Sequence, residues 1–259
     1  MRLKNKVIIV TGATSGIGRA IAERCVAEGA RVLVHGIVRA DGETVVKKLG
    51  AAAALHLDDL GDPASAVRIV AAALGAFGRI DAVVNNAAVV ARSNLGTASA
   101  EFFDRMMAVN VRAPLLLIQA AFPQLKANEG CVLNIGSINA HSGQANLLDY
   151  SVSKGAMQTL SRNLANAHGE DRVRVNHLNV GWVLTDREYA HQIEHGMPAE
   201  WPQHLPAQFA PSGRLIMPEE IAAAAVYWLG DESRPVSGAV VELEQYSVIG
   251  RNPNKSSAK

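Results

Sequence analysis

Eight residues near the start of the chain restrict the fold more than any others. They are Thr11-Gly12-Ala13-Thr14-Ser15-Gly16-Ile17-Gly18, set between a short apolar run and an amphipathic one. The run Val7–Val10 has no polar break, the pattern of a strand buried on both faces. Beyond the glycines, Ile21, Ala22, Cys25 and Val26 fall at helical spacing within Arg19–Glu28, and Gly29 supplies a left-handed stop. A turn of this kind presents the free amides and positive dipole of a helix start, and glycine lets the backbone approach an anion closely. It is therefore read as a phosphate cradle. Its Gly-x-x-x-Gly-x-Gly spacing departs from Gly-x-Gly-x-x-Gly, and it lacks the Gly-Lys-Ser/Thr ending of a P-loop, which argues against a kinase or nucleotidase.

Strand and helix patterns then alternate. Further strands are expected at Arg31–His35, Ala54–Leu57, Ile80–Val84, Cys131–Ile135, Val173–Leu178 and Ala239–Leu243. Helices are expected over Pro63–Phe77, Glu101–Leu125, Tyr150–Ala167 and Pro218–Leu229. This order predicts an α/β fold, a doubly wound parallel β-sheet flanked by helices on both faces. No repeat or low-complexity linker divides the 259 residues, so one domain is expected over 1–251 with a polar tail at 252–259. Residues 186–213 break the rhythm with Pro198, Pro202, Pro206, Pro211, Trp201 and several histidines. A segment of that length is read as a substrate lid, with a surface or subunit-contact insertion as the alternative.

Composition narrows the function classes. Charged residues make up 19% and the formal net charge is +1, which argues against nucleic acid as a partner. Cys25 and Cys131, the only cysteines, sit in apolar runs away from other ligand types, so no metal site is expected and both read as buried thiols in a reducing cytoplasm. No secretory leader and no membrane-spanning segment are expected, since the apolar runs fall short of roughly 20 residues.

Further along, Asn85-Asn86-Ala87-Ala88, Ser137 and Tyr150-Ser151-Val152-Ser153-Lys154 follow the glycine turn in order. With these motifs the chain resembles the classical short-chain dehydrogenase/reductase family over nearly its whole length. The resemblance implies a Rossmann-like sheet, NAD(H) or NADP(H) as cofactor, a homotetramer or homodimer, and a small alcohol or ketone as substrate. Asn110, Ser137, Tyr150 and Lys154 are implied as the catalytic set, with Asn110 supporting a water-linked relay to the lysine. Thr11, Gly12, Ser15, Gly16, Ile17, Gly18, Asn86 and Ala87 are implied as cofactor contacts. Asp59-Leu60 resembles the pair that meets the adenine, with Asp58 the competing carboxylate. Gly181, Val183 and Thr185 resemble the nicotinamide loop, where Val180 stands in place of the family's proline and frees a dihedral that proline would fix. Ala88 likewise stands for the commoner glycine.

The residue types suit the chemistry. Tyr150 and Lys154 are four apart, so a helix places them on one face. A free tyrosine has a pKa of about 10, and a nearby ammonium that lowers it by roughly 2–3 supplies about 3–4 kcal/mol of differential stabilisation. Tyr150 would exchange the substrate hydroxyl proton and Ser137 would hold the substrate oxygen. Tyr150 and Lys154 also count among the cofactor contacts, the lysine through the nicotinamide ribose.

The expected second strand ends in Val34-His35-Gly36-Ile37-Val38-Arg39 with no carboxylate to accept ribose hydroxyls, which favours NADP(H) over NAD(H) with Arg39 on the 2′-phosphate. Arg39 also reads as a solvated loop charge. Gln144 and Asn146, with Ser137 and Tyr150, are the expected substrate contacts, accompanied by His141 and Leu147 and closed over by His191 and Trp201. Their polarity favours a sugar or polyol, with acyl or cyclic ketone reduction as the alternative. A catalytically inactive nicotinamide-binding sensor or assembly protein is the rival class.

Overall fold

The computed structural model describes residues 1–249. Among them, seven strands form one parallel sheet: β1 (Val7–Val10), β2 (Arg31–Gly36), β3 (Ala53–Leu57), β4 (Ala82–Asn85), β5 (Cys131–Ser137), β6 (Arg174–Val180) and β7 (Val240–Leu243), in the order β3-β2-β1-β4-β5-β6-β7. The order reverses between β1 and β4, and the crevice at such a switch point is where open α/β sheets bind ligands. Every expected strand is present with ends shifted by up to two residues. Polar tips on β5 and β6 hide their last residues from an apolar-run reading.

Helices α1 (Gly16–Ala27), α2 (Arg39–Leu49), α3 (Ser65–Phe77), α4 (Ala100–Met107), α5 (Ala113–Ala127), α6 (Asn139–Ser142), α7 (Leu148–Ala167), α8 (Asp186–Glu194) and α9 (Pro218–Leu229) link the strands. One face of the sheet packs Ile8, Val10, Leu133 and Leu178 against Ile21 and Cys25 of α1 and Val226 and Leu229 of α9. On the opposite face, Ile9, Val83 and Val132 meet Ile69 of α3 and Leu117 of α5. The single helix expected over Glu101–Leu125 is α4 and α5 joined by a π turn, Ala108–Arg112. This helical run is long and apolar enough to cross a membrane, yet Leu117, Ile118, Ala121 and Leu125 are buried in the second cluster, as in the core helix of a globular domain.

The segment read as an open lid is more structured than its prolines imply. It carries α8 and a 3-10 turn at Trp201–Gln203, and its Trp201 and Ala210 cluster with Leu215, packed by Trp182, Leu184 and Leu205. The helical charge pattern of α8 was masked by the prolines that follow it. Cys25 and Cys131 are buried free thiols. The polar tail expected at 252–259, and the domain end at 251, lie outside the described residues.

Candidate active site

The glycine turn is held by the residues after β4. Gly12 has φ +62°, and a Cβ there would stand 2.9 Å from Ala87 Cα; a Cβ on Gly18 would run into the Gly12 carbonyl oxygen. Only glycine allows this approach. The Thr11 hydroxyl accepts from the amides of Asn86 at 3.0 Å and Ala87 at 3.1 Å. In return the Asn86 amide donates to the Thr11 carbonyl at 2.9 Å and to that of Gly12 at 3.2 Å. Thr11 and Asn86 thus brace the turn, a role the sequence reading, which gave them cofactor contact, did not foresee. Helix α1 begins at Gly16, and the Ser15 hydroxyl makes no capping bond. The first amides of the helix have no intrahelical partner, so this cradle, too tight for any side chain, fits a pyrophosphate.

At the β2 end, Arg39 is the first residue of α2, is 73% exposed, and stands 3.4 Å from Glu43 one turn on. Ile37, beside it, is 74% exposed. His35 is buried with Nε2 3.1 Å from the Asp58 carbonyl oxygen, and burial pushes its pKa down to about 4. The two candidate carboxylates separate clearly. Arg68 holds Asp58 through two 2.6 Å bonds and brings its pKa down to about 2, whereas Asp59 is exposed, accepting from Arg105 at 2.9 Å and the Gly61 amide at 2.8 Å. Asp59 is therefore the more accessible carboxylate, and Leu60 beside it is buried.

The candidate reacting groups meet where α7 passes the end of β5. Tyr150 and Lys154 lie on one face of α7, both buried, and Ser137, the last residue of β5, is the side chain that acts on the Tyr150 phenol, lowering its pKa. Lys154 Nζ donates to the Ile135 carbonyl at 2.9 Å and lies 5.5 Å from the Tyr150 ring centroid. The electrostatics correct the sequence expectation. Burial pushes Tyr150 up to about 12, against a smaller lowering by Ser137, and burial pushes Lys154 down to about 8. The lysine is itself desolvated and turned toward a carbonyl, so the expected depression of the tyrosine is not present.

Asn110 sits in the π turn. Its Oδ1 accepts from the Val89 amide at 2.8 Å, and its Nδ2 donates to the Val89 carbonyl and Ser153 Oγ, each at 3.0 Å. The side chain so ties the loop after β4 to α7.

The loop after β6 closes the opposite side. Val180 pairs with Ser137 across the sheet, Val183 is buried and bridged to Ile216, and Thr185 caps α8 by accepting from the Glu188 amide at 3.0 Å. The Thr185 methyl faces Gly16, so this loop and the glycine turn are in contact range. Glu244, which the sequence did not signal, fills the space over Gly181 and accepts from the Trp182 amide at 3.3 Å.

The expected substrate contacts divide. Gln144 is exposed, while the Asn146 carbonyl accepts from the Ser93 amide at 3.0 Å and joins two loops. His141 is committed elsewhere, to Glu242 at 3.1 Å and Asn179 at 3.0 Å. Trp182, in the loop after β6, stacks on Trp201 of the segment 186–213 at 5.5 Å and donates to its Glu188 at 2.7 Å.

Comparison with known proteins agrees with this geometry. Residues 12–244 match a family model described as enoyl-(acyl carrier protein) reductase. A D-threitol dehydrogenase of Mycolicibacterium smegmatis is 34% identical, covering 94% of this chain and 93% of its own. A 3-oxoacyl-(acyl-carrier-protein) reductase of Agrobacterium tumefaciens, solved with NADP, superposes with a TM-score of 0.85 at 27% identity over 93% of both chains. The Brucella melitensis 3-ketoacyl-(acyl-carrier-protein) reductase, solved with NADH, gives 0.82 at 29% identity over 93% of this chain and 97% of its own. A glycine turn between β1 and α1, a Ser137–Tyr150 contact beside a buried lysine, and matches over nearly the full length place the chain in the short-chain dehydrogenase/reductase family.

Proposed function

We propose that this NAD(P)-dependent oxidoreductase interconverts a secondary alcohol and its ketone on a hydroxylated substrate of the sugar or polyol class. The observation that carries the reading is that Tyr150 and Lys154 are buried on one face of α7 at the end of β5, where Ser137 is the side chain that lowers the Tyr150 pKa. A bound nicotinamide supplies or accepts the hydride. Tyr150, with its pKa up near 12, holds its proton at neutral pH and donates it to the ketone oxygen in reduction. Ser137, which lowers the Tyr150 pKa against the larger effect of burial, favours the phenolate left behind and holds the substrate oxygen in line, and Lys154 is assigned to the nicotinamide ribose. In oxidation the phenolate takes the hydroxyl proton back. Asn110 keeps the Val89 loop and α7 in register around these groups.

Gly12, Ser15, Gly16, Ile17 and Gly18 are assigned to the pyrophosphate, Asp59 and Leu60 to the adenine, and Gly181, Val183 and Thr185 to the nicotinamide end. NADP(H) is favoured over NAD(H): β2 ends without a carboxylate, and Arg39 stands at the N-terminus of α2, where amides and guanidinium both attract a 2′-phosphate. A homotetramer or homodimer is the proposed assembly, supported by Leu115 of α5 and Val152 of α7, 40% and 45% exposed. The two free thiols support a cytoplasmic setting.

The test has two parts. NADPH and NADH are titrated by their own fluorescence; tighter NADPH binding is expected, and binding of neither would overturn the cradle. D-threitol, other vicinal diols and a 3-oxoacyl thioester are then assayed with wild type and Tyr150→Phe. Turnover of a diol is expected, with a loss of at least about 10³-fold in the variant and nucleotide affinity retained. Preference for the thioester would move the substrate assignment to acyl ketones.

A further inference from the structure

Beneath the reacting face of α7 lies a second run of polar side chains that proton and hydride transfer do not use. Asn85 Nδ2 donates to Asn134 Oδ1 at 2.9 Å, and Asn134 Nδ2 donates to Ser161 Oγ at 2.8 Å. Ser161 Oγ meets His177 Nδ1 at 2.9 Å, and His177 Nε2 meets Asn179 Oδ1 at 3.0 Å. Asn179 Nδ2 then donates to Gln158 Oε1 at 2.7 Å and faces His141 Nε2 at 3.0 Å. From Asn85 to Gln158 the members are 0–9% exposed. Sheet register builds the series: Asn85, Asn134 and His177 are neighbours on β4, β5 and β6. Ser161 and Gln158 come from α7, where Gln158, Lys154 and Tyr150 follow one another at four-residue steps.

Burying this many polar groups costs free energy that an apolar interface of the same shape avoids, so the series needs a purpose beyond stability. A proton relay does not fit, because the Asn179 amide in its middle has no readily transferable proton. Directional hydrogen bonds do supply what apolar contacts lack: a fixed height and rotation of one element on another. Gly136 belongs to the same device. It lies between Ile135, which receives Lys154, and Ser137, which receives Tyr150, and a Cβ on it would run into His177 Nε2 and Asn179 Oδ1. Glycine here is the room that the His177–Asn179 pair occupies.

We propose that His177 and Asn179 are positioning residues: through Ser161 and Gln158 they set α7 against β5 and β6, so that Lys154 reaches the Ile135 carbonyl and Tyr150 reaches Ser137. This rests on the catalytic assignment of Tyr150 and Lys154 above. The test uses the full chain with Gly136→Ala, His177→Ala, the double variant, and His177→Gln, which keeps a donor and an acceptor. Each is assayed for kcat, nucleotide KM, the pH profile of kcat and the thermal midpoint, on the panel alcohol that turns over fastest. Either alanine alone is expected to lower kcat at least about tenfold with nucleotide KM within about twofold, since small misplacements of reacting groups act on turnover. The kinetic pKa should move, and His177→Gln should recover part of kcat. In the double variant the His177 part of the clash is gone and only Asn179 Oδ1 still crowds the new Cβ, so the midpoint rises above that of Gly136→Ala while kcat stays low. Wild-type kcat in the double variant would overturn the proposal, leaving Gly136 with a packing role only. Should His177→Ala not fold, the apolar set Gln158→Leu, Ser161→Ala, His177→Leu and Asn179→Leu fills the same space, and wild-type kcat there would overturn it equally. Activity in Tyr150→Phe would instead sink the catalytic assignment, so the two failures are told apart.

Discussion

On the side of the sheet that meets α1 and α9, the strands present Ile8, Val10, Val32, Val34, Val84, Leu133, Ile135 and Leu178, and carry polar side chains at the end of β5, Ser137, and at the start of β6, Arg174 and Asn176. On the side that meets α3, α5 and α7 they start apolar, at Ile9, Val83, Val132 and Val175, and turn polar toward their C-terminal ends at His35, Asn85, Asn134, His177 and Asn179. The apolar stretch of the first side needs only area and shape, because burial of apolar surface has no direction. The second holds the helix bearing Tyr150 and Lys154, and there area is exchanged for bonds that work at one distance and angle.

Substitutions on each side should therefore separate stability from turnover. The largest effect is expected at Leu133→Ala, which empties a site 1% exposed: stability should fall by about 2–5 kcal/mol in denaturant unfolding, with kcat per folded molecule unchanged. A matching fall in kcat would show that both sides position the site. Next comes acid. His35 and His177 are buried neutral with pKa down to about 4, so the unfolded chain binds more protons than the folded one below its usual value near 6.5. Stability should drop as pH falls from about 6.5 to 4, by up to about 3 kcal/mol for each histidine. His177→Leu should flatten part of that slope in midpoint-versus-pH curves. Asp58, its pKa depressed by Arg68, loses its contribution in a lower window, from about 4 down to 2, so the two can be resolved. Smallest is Arg39→Ala, outside both faces: NADPH affinity should weaken about tenfold relative to NADH with the melting midpoint unchanged. An unchanged ratio would make Arg39 a solvated charge.

Much of this was legible before any coordinates. Val7–Val10 and Cys131–Ile135 announce buried strands because nothing polar interrupts them, and Tyr150 and Lys154 share a helix face by spacing alone. What stayed hidden depends on long-range contacts. The π turn around Asn110 is set by Val89, 21 residues away, and Val109-Asn110-Val111 carries no local sign of it. His177 sits in a run that reads as an ordinary strand, and its meaning comes from Ser161 and Asn179. The Tyr150 acidity missed its expected direction because spacing reports that a lysine is near but not that both groups are desolvated.

The separate apolar cluster around Trp201, Ala210 and Leu215 has a different consequence. That interior is shared, because Trp182 and Leu184 of the loop after β6 pack against it. The segment joins the framework through the Trp182–Trp201 stack, the Trp182–Glu188 and Ser212–Gln245 bonds and the Val183–Ile216 bridge. A transplant of residues 186–216 between relatives would therefore have to carry Trp182 and Leu184 with it to keep that interior filled, while the glycine turn and the sheet keep their form.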